Sequence, residues 1–178
     1  MLSLALDARA VQCGGGQERY AAGLVSTAGK FTFTYGLVEA RVWVPAVTGR
    51  PKKVANWPAV WADGKTWPAD GEIDIAEGLG GRMCGHLHSA VSPGGVGAGG
   101  GSGCPAGIYA GGWHTFAVDW EPAGLTFYYD GRDVGKVTSG VTSAPMFLIL
   151  DYATGSSGGP VQVPATMKVD YVRVWQHP

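Results

Sequence analysis

Apolar and polar residues alternate with a period of two along most of this chain. Leu2, Leu4 and Leu6 alternate with small or polar residues, and Phe31, Phe33 and Tyr35 alternate with Thr32 and Thr34. Val38, Ala40, Val42 and Val44 share one face, with Glu39, Arg41 and Trp43 on the other. Phe116, Val118 and Trp120 repeat the pattern, as do Val169, Tyr171, Arg173 and Trp175. Successive strand side chains point to opposite faces, so these runs predict half-buried β-strands. Asp63-Gly64, Asp70-Gly71 and Asp130-Gly131 punctuate them, with prolines at 45, 58, 68, 122 and 145. Leu125–Tyr129, Asp130-Gly131 and Val134–Val137 read as a hairpin. No capped amphipathic helix of useful length is found. The pattern predicts an all-β fold, an antiparallel sandwich.

The 178 residues suffice for one domain with a sizeable core. Thirteen basic residues balance 14 acidic ones, with no basic stripe, so nucleic acid is not an expected partner. No apolar run approaches the roughly 20 residues of a membrane span. Thirty glycines and seven tryptophans suit a turn-rich, carbohydrate-handling β protein. Residues 92–107 form a Gly-rich loop between strand patterns. Its Gly95, Gly97 and Gly100 match G-x-G-x-x-G by chance, because no helix follows. Cys84 and Cys104 bracket this loop. A disulfide there would stabilise by about 3 kcal/mol; free thiols are the alternative, and Cys13 is left over. Residues 1–7 are too short for a secretory leader and lack its basic start. Either the protein is cytosolic or a leader has been removed.

Glu72-Ile73-Asp74-Ile75-Ala76-Glu77 places three carboxylates in six residues of an apolar run. Burying a carboxylate costs several kcal/mol unless it is paired or neutralised. Three together serve no packing purpose, but crowding splits their proton affinities. A carboxylate and a carboxylic acid flanking one bond are what glycosidic cleavage requires. In a regular strand Glu72 and Asp74 share a face and Glu77 lies on the other. One extra residue, a β-bulge, brings Glu77 to the same face. Two inward-leaning Glu side chains then approach within about 5 Å, the separation of retaining enzymes. The alternative is an acidic edge strand with Glu77 in solvent.

These residues carry a resemblance. Gly71–Glu77 resembles the bulged E-x-D-x-x-E signature of glycoside hydrolase family 16, in its laminarinase-like branch. Tyr35–Arg41, Asn56–Trp61, Trp67–Asp70, Trp113–Trp120 and Val169–Trp175 are similar to other segments of that family. The resemblance implies a concanavalin A-like jelly roll whose curved sheet forms a concave sugar-binding cleft. It implies Glu72 as nucleophile, Glu77 as general acid and then base, and Asp74 between them. Substrate contact is expected of Trp57, Trp61 and Trp67, whose indoles suit sugar faces. It is also expected of Asn56, Glu39, Arg41 and His88. His86 and His114 are read as structural and His177 as solvated. Cys84, His86 and His88 recur every second residue, but no fourth zinc ligand accompanies them. No cofactor is expected to be required. Asp170 alone matches the family's calcium site, so structural calcium is the weaker alternative.

The family's usual opening segment has no counterpart before Leu2, and Asp151-Tyr152 replaces a more usual Asn-Leu pair. The expectation is a single catalytic domain over 1–178, monomeric and extracellular, hydrolysing a β-linked polysaccharide, best β-1,3-glucan. A β-galactan hydrolase, a transglycosylase, a noncatalytic glucan-binding module and a truncated fragment are the rivals.

Overall fold

A computed structural model describes residues 1–91 and 103–177. Most of the Gly-rich loop, with its G-x-G-x-x-G match at Gly95, Gly97 and Gly100, lies outside the described residues. Fifteen strands are formed among the described residues. They are β1 (Leu2–Asp7), β2 (Val11–Cys13), β3 (Gly16–Glu18), β4 (Ala21–Ser26), β5 (Gly36–Val44), β6 (Ala46–Val47), β7 (Arg50–Val54) and β8 (Trp57–Gly64). There follow β9 (Glu72–Leu79), β10 (Arg82–His88), β11 (Gly112–Glu121), β12 (Gly124–Tyr129), β13 (Arg132–Val137), β14 (Met146–Ala153) and β15 (Ala165–Trp175). Among the described residues no helix is long and apolar enough to cross a membrane.

Eleven strands hydrogen-bond in the order β10-β9-β8-β14-β4-β1-β15-β5-β11-β12-β13, while β2-β3 and β6-β7 form small ribbons. Every pairing in the large sheet is antiparallel. The sheet doubles back at β4, whose Ala21 and Ala22 pair with β1 and whose Gly23–Ser26 pair with β14. One core fills the space between the layers. Ile73, Ile75, Val60 and Leu148 enter it from one side and Val38, Ala40, Phe116, Val118 and Phe127 from the other. The result is an antiparallel jelly-roll sandwich.

Local sequence explains the elements. In β5 every second residue is buried, Gly36 through Val44. Asp130 and Gly131 form a two-residue β12–β13 turn with φ of 49° and 74°. Such a turn needs positive φ at both positions, which Asp and Gly tolerate. Two runs depart from expectation. Residues 31–35 form no strand: Tyr35 has a φ of 59°, and Phe33 makes only an isolated bridge to Met146. In β15 the register slips between Val169 and Tyr171. Val169 therefore points into the core, Val172 and Val174 take over from it, and Tyr171, Arg173 and Trp175 face outward.

The layers are tied at one point that bears on the site. The buried Tyr129 Oη, from β12, donates to the Ile75 carbonyl of β9 at 3.1 Å. Tyr129 also packs edge-on against Phe116, with ring centroids 4.7 Å apart. Tyr129→Phe leaves that carbonyl without its donor in an apolar setting and is expected to cost about 1–2 kcal/mol. Urea denaturation of the two proteins reads the difference; equal midpoints would show that the bond contributes nothing.

Candidate active site

The site is built on β9 and the strands beside it. Against β8, Ala59, Val60 and Trp61 pair with Glu77, Ala76 and Asp74, so one β9 residue is extra. Against β10 the same slip falls between Cys84 and His86. This is a β-bulge at Ile75-Ala76, with both side chains buried in the core. The extra residue turns Glu77 onto the face that carries Glu72 and Asp74. Trp57, Ala59 and Trp61 of β8 and Asp151 and Ala153 of β14 join them, with Thr154, around an open cavity of about 290 Å³.

Neutral N–H donors hold the acids. Trp67 Nε1 donates to Glu72 Oε2 at 2.7 Å, Trp57 Nε1 to Glu77 Oε1 at 2.9 Å, and Trp61 Nε1 to Asp151 Oδ1 at 2.8 Å. Two histidines of β10 close the other side. His88 Nε2 lies 3.1 Å from Asp74 Oδ2, and His86 Nδ1 lies 3.4 Å from Glu77 Oε2. Oxygens of Glu72 and Asp74 lie within 4.8 Å of each other, and so do oxygens of Asp74 and Glu77. The Trp57 ring is seated against Gly155, where an added Cβ would lie 2.7 Å from it.

The acids feel one another. Burial, then Asp74, pushes the Glu72 carboxyl up to about 7. Burial pushes Asp74 up as well, against the pull of His88. Asp151 is raised to about 6 by burial, opposed by its Trp61 bond and aided by the charges of Glu77 and Asp74. The cluster is therefore short of positive charge and shares protons as a set. Glu72 and Asp151 are thereby moved toward neutrality, to about 7 and about 6.

Several expected residues fall elsewhere. Glu39 and Arg41 do not reach this cavity. They lie on the outer face of β5, in the opposite layer, where Glu39 accepts from Tyr171 Oη at 2.7 Å and Arg41 pairs with Asp170 at 2.7 Å. Alternation told which residues oppose the valines but not which layer β5 joins. Asn56 is fully buried. Its Nδ2 donates to Tyr152 Oη and the Gln162 carbonyl, and its Oδ1 accepts from Gln162 N. It pins the chain after β14 rather than meeting a substrate. His177 is exposed, as expected, and bonds Asp119 at 2.7 Å, while His114 bonds Asp130 at 2.9 Å. Cys84 is disulfide-bonded to Cys104, which leaves its sulfur unable to join His86 and His88 around a metal, and Cys13 is free and exposed. Sequence reading missed Asp151 as a cleft acid and His86 as a neighbour of Glu77. The signal for Asp151 was present: Leu148, Leu150 and Tyr152 are buried on β14, so Asp151 faces the other way.

A jelly roll with a concave face lined by indoles and carboxylates defines a class, the glycoside hydrolases of sandwich fold. The model for glycosyl hydrolases family 16 matches residues 2–173, and the chain belongs to that family. It is 33% identical to glucan endo-1,3-beta-glucosidase A1 of Niallia circulans, over 89% of this chain and 26% of that protein. It is 30% identical to a keratan-sulfate endo-1,4-beta-galactosidase of Sphingobacterium multivorum, over 89% of this chain and 41% of that protein. The chain thus spans between about a quarter and two-fifths of these relatives. The laminarinase catalytic domain from Thermotoga maritima superposes with a TM-score of 0.79 at 29% identity, covering 99% of this chain and 77% of that one.

The raised Glu72 carboxyl has a stability consequence. Between its ordinary 4.5 and about 7 the folded chain holds a proton that the unfolded chain has released. Stability contributed by this group therefore falls as pH rises through that window. Glu72→Gln keeps the acceptor for Trp67 and removes the charge. Allowing for partial exposure, it is expected to stabilise by about 1–2 kcal/mol at pH 8, a rise in Tm of about 3–6 °C. At pH 4 the change should vanish. Thermal melts at the two pH values read this, and an equal shift at both would refute the linkage.

Proposed function

We propose that this protein is a retaining endo-glycosidase that hydrolyses β-1,3-glucan by double displacement. The observation that carries the reading is the bulge at Ile75-Ala76, which gathers Glu72, Asp74 and Glu77 at one cavity. Glu72, oriented by the Trp67 N–H, attacks the anomeric carbon. Glu77, held by the Trp57 N–H, gives its proton to the departing glycosidic oxygen. The C–O bond to the leaving chain breaks as the bond to Glu72 forms. Glu77, now ionised, takes a proton from water, which attacks the same carbon and releases Glu72. Asp74 lies against Glu72, and His88 bounds its charge. All of these groups come from one chain, in keeping with action as a monomer, and no step calls for a metal or cofactor.

The substrate follows from the surface and the relatives. Trp57 and Trp61 offer flat apolar area to pyranose faces. No Lys or Arg is among the described residues around the cavity, which favours an uncharged glycan. Two of the similar proteins are a glucan endo-1,3-beta-glucosidase and a laminarinase. The keratan-sulfate endo-1,4-beta-galactosidase among the relatives supports a second reading, a β-galactan hydrolase. The Cys84–Cys104 disulfide is in keeping with an extracellular protein.

Incubation with laminarin, lichenan, agarose, carrageenan and xyloglucan, with products sized by chromatography, tests the substrate. Laminarin is expected to give oligosaccharides whose first-formed anomer, read by NMR, is β. An initial α product would rule out double displacement, and a laminarin digest without products would remove β-1,3-glucan. Glu77→Ala should lower kcat by about 10²–10⁴-fold, and Glu72→Ala at least as much, while circular dichroism shows both folded. Near-full activity in either variant would overturn its role.

A further inference from the structure

The mechanism leaves one cleft carboxylate unused. Asp151 stands on β14 directly opposite Ala59 of β8, and Ala59 stands opposite Glu77 of β9. Asp151 and Glu77 therefore occupy one cross-strand row, about 10 Å apart at Cα by strand spacing. Only the Ala59 methyl lies between them on this face. A sugar ring that extends from Glu77 toward β14 within this cavity lies over Ala59 and meets Asp151. The indole of Trp61 fixes Oδ1, and among the described residues no bond is seen at Oδ2, which is left to the cavity.

The electrostatics around this row are one-sided. Asp151, Glu77, Asp74 and Glu72 line the cavity without a Lys or Arg among its described residues. The nearby cationic candidates, His86 and His88, sit against Glu77 and Asp74 rather than Asp151. An acceptor-only group of this kind welcomes hydroxyls, which donate. It repels a sulfate or carboxylate on the same ring at short range.

We propose that Asp151 is a specificity-determining residue: its carboxylate accepts from hydroxyls of the sugar unit beside Glu77 and excludes a unit bearing an anionic substituent there. The proposal rests on the β-1,3-glucanase reading and adds its selectivity for neutral chains. Charge carries the selectivity, not size, because the floor beneath that unit is a methyl group.

Two polymers with one backbone separate the effects: laminarin, which is neutral, and carboxymethylated curdlan, a β-1,3-glucan bearing carboxylates. At pH 8 the parent is expected to prefer laminarin in kcat/KM. Asp151→Asn keeps an acceptor for Trp61 and removes the charge. It should lower kcat/KM on laminarin several-fold and raise it on the carboxymethylated chain, narrowing the ratio about tenfold, the order expected for one charge removed a few ångströms away. Asp151→Ser should narrow it similarly, and thermal melts establish that the variants are folded. A merely structural residue would lower both activities together. An unchanged ratio in the folded variants overturns the proposal, while a parent that cleaves neither polymer defeats the glucanase reading instead.

Discussion

The extra residue in β9 is the constraint on which the site depends. A strand alternates faces, so two acids five positions apart belong on opposite sides of a sheet. Placing Ile75 and Ala76 together on the core side breaks that alternation once and returns Glu77 to the face of Glu72. The slip is matched on both flanks, against β8 and against β10, so neighbouring strands are shaped to it. Tyr129 reaches across the sandwich to bond the bulge carbonyl. The opposite layer thereby holds the irregularity that the chemistry needs.

Around the bulge, the choice of partners is as telling as the acids. The indole N–H groups of Trp67, Trp57 and Trp61 each take a carboxylate oxygen of Glu72, Glu77 or Asp151. An indole donates without carrying charge, so it fixes orientation and leaves the acid's charge available. An Arg in the same place would hold the acid permanently ionised and neutralised. The cost is visible in the upward shifts at Glu72, Asp74 and Asp151, which come first from burial of each carboxyl and then from the charges of its acidic neighbours. Catalytic sites tolerate such local destabilisation because the surrounding core supports it.

Much of this was legible beforehand where the signal is local. Period-two alternation in Val38–Val44 and Phe116–Trp120 marked strands whose inner faces are buried as expected. The spacing of Glu72, Asp74 and Glu77 demanded a bulge, since no regular strand brings all three to one face. Asp130-Gly131 announced its turn through two residues that accept positive φ. Where signals were ambiguous, reading fell short. Phe31–Tyr35 alternate as a strand would, yet Tyr35 turns the chain and only Phe33 bridges. Val169–Trp175 looked like one regular strand because a slip at Asp170 leaves no mark in composition.

By itself the sequence determined most of the long strands, the bulge and the acids that must meet, because each rests on a pattern among residues close along the chain. Which layer each strand joined was decided by tertiary structure alone. Alternation defines two faces of a strand but not what those faces oppose, and Glu39 and Arg41 ended outside the other layer, far from the chemistry in topology. Asp151 entered the cleft for the same reason, since β14 pairs with β8 from 90 residues away. Asn56 became a buried clamp because its partners, Tyr152 and Gln162, arrive only when the sandwich closes. Long-range pairing sets these outcomes, and it depends on how all the strands bury their apolar faces together.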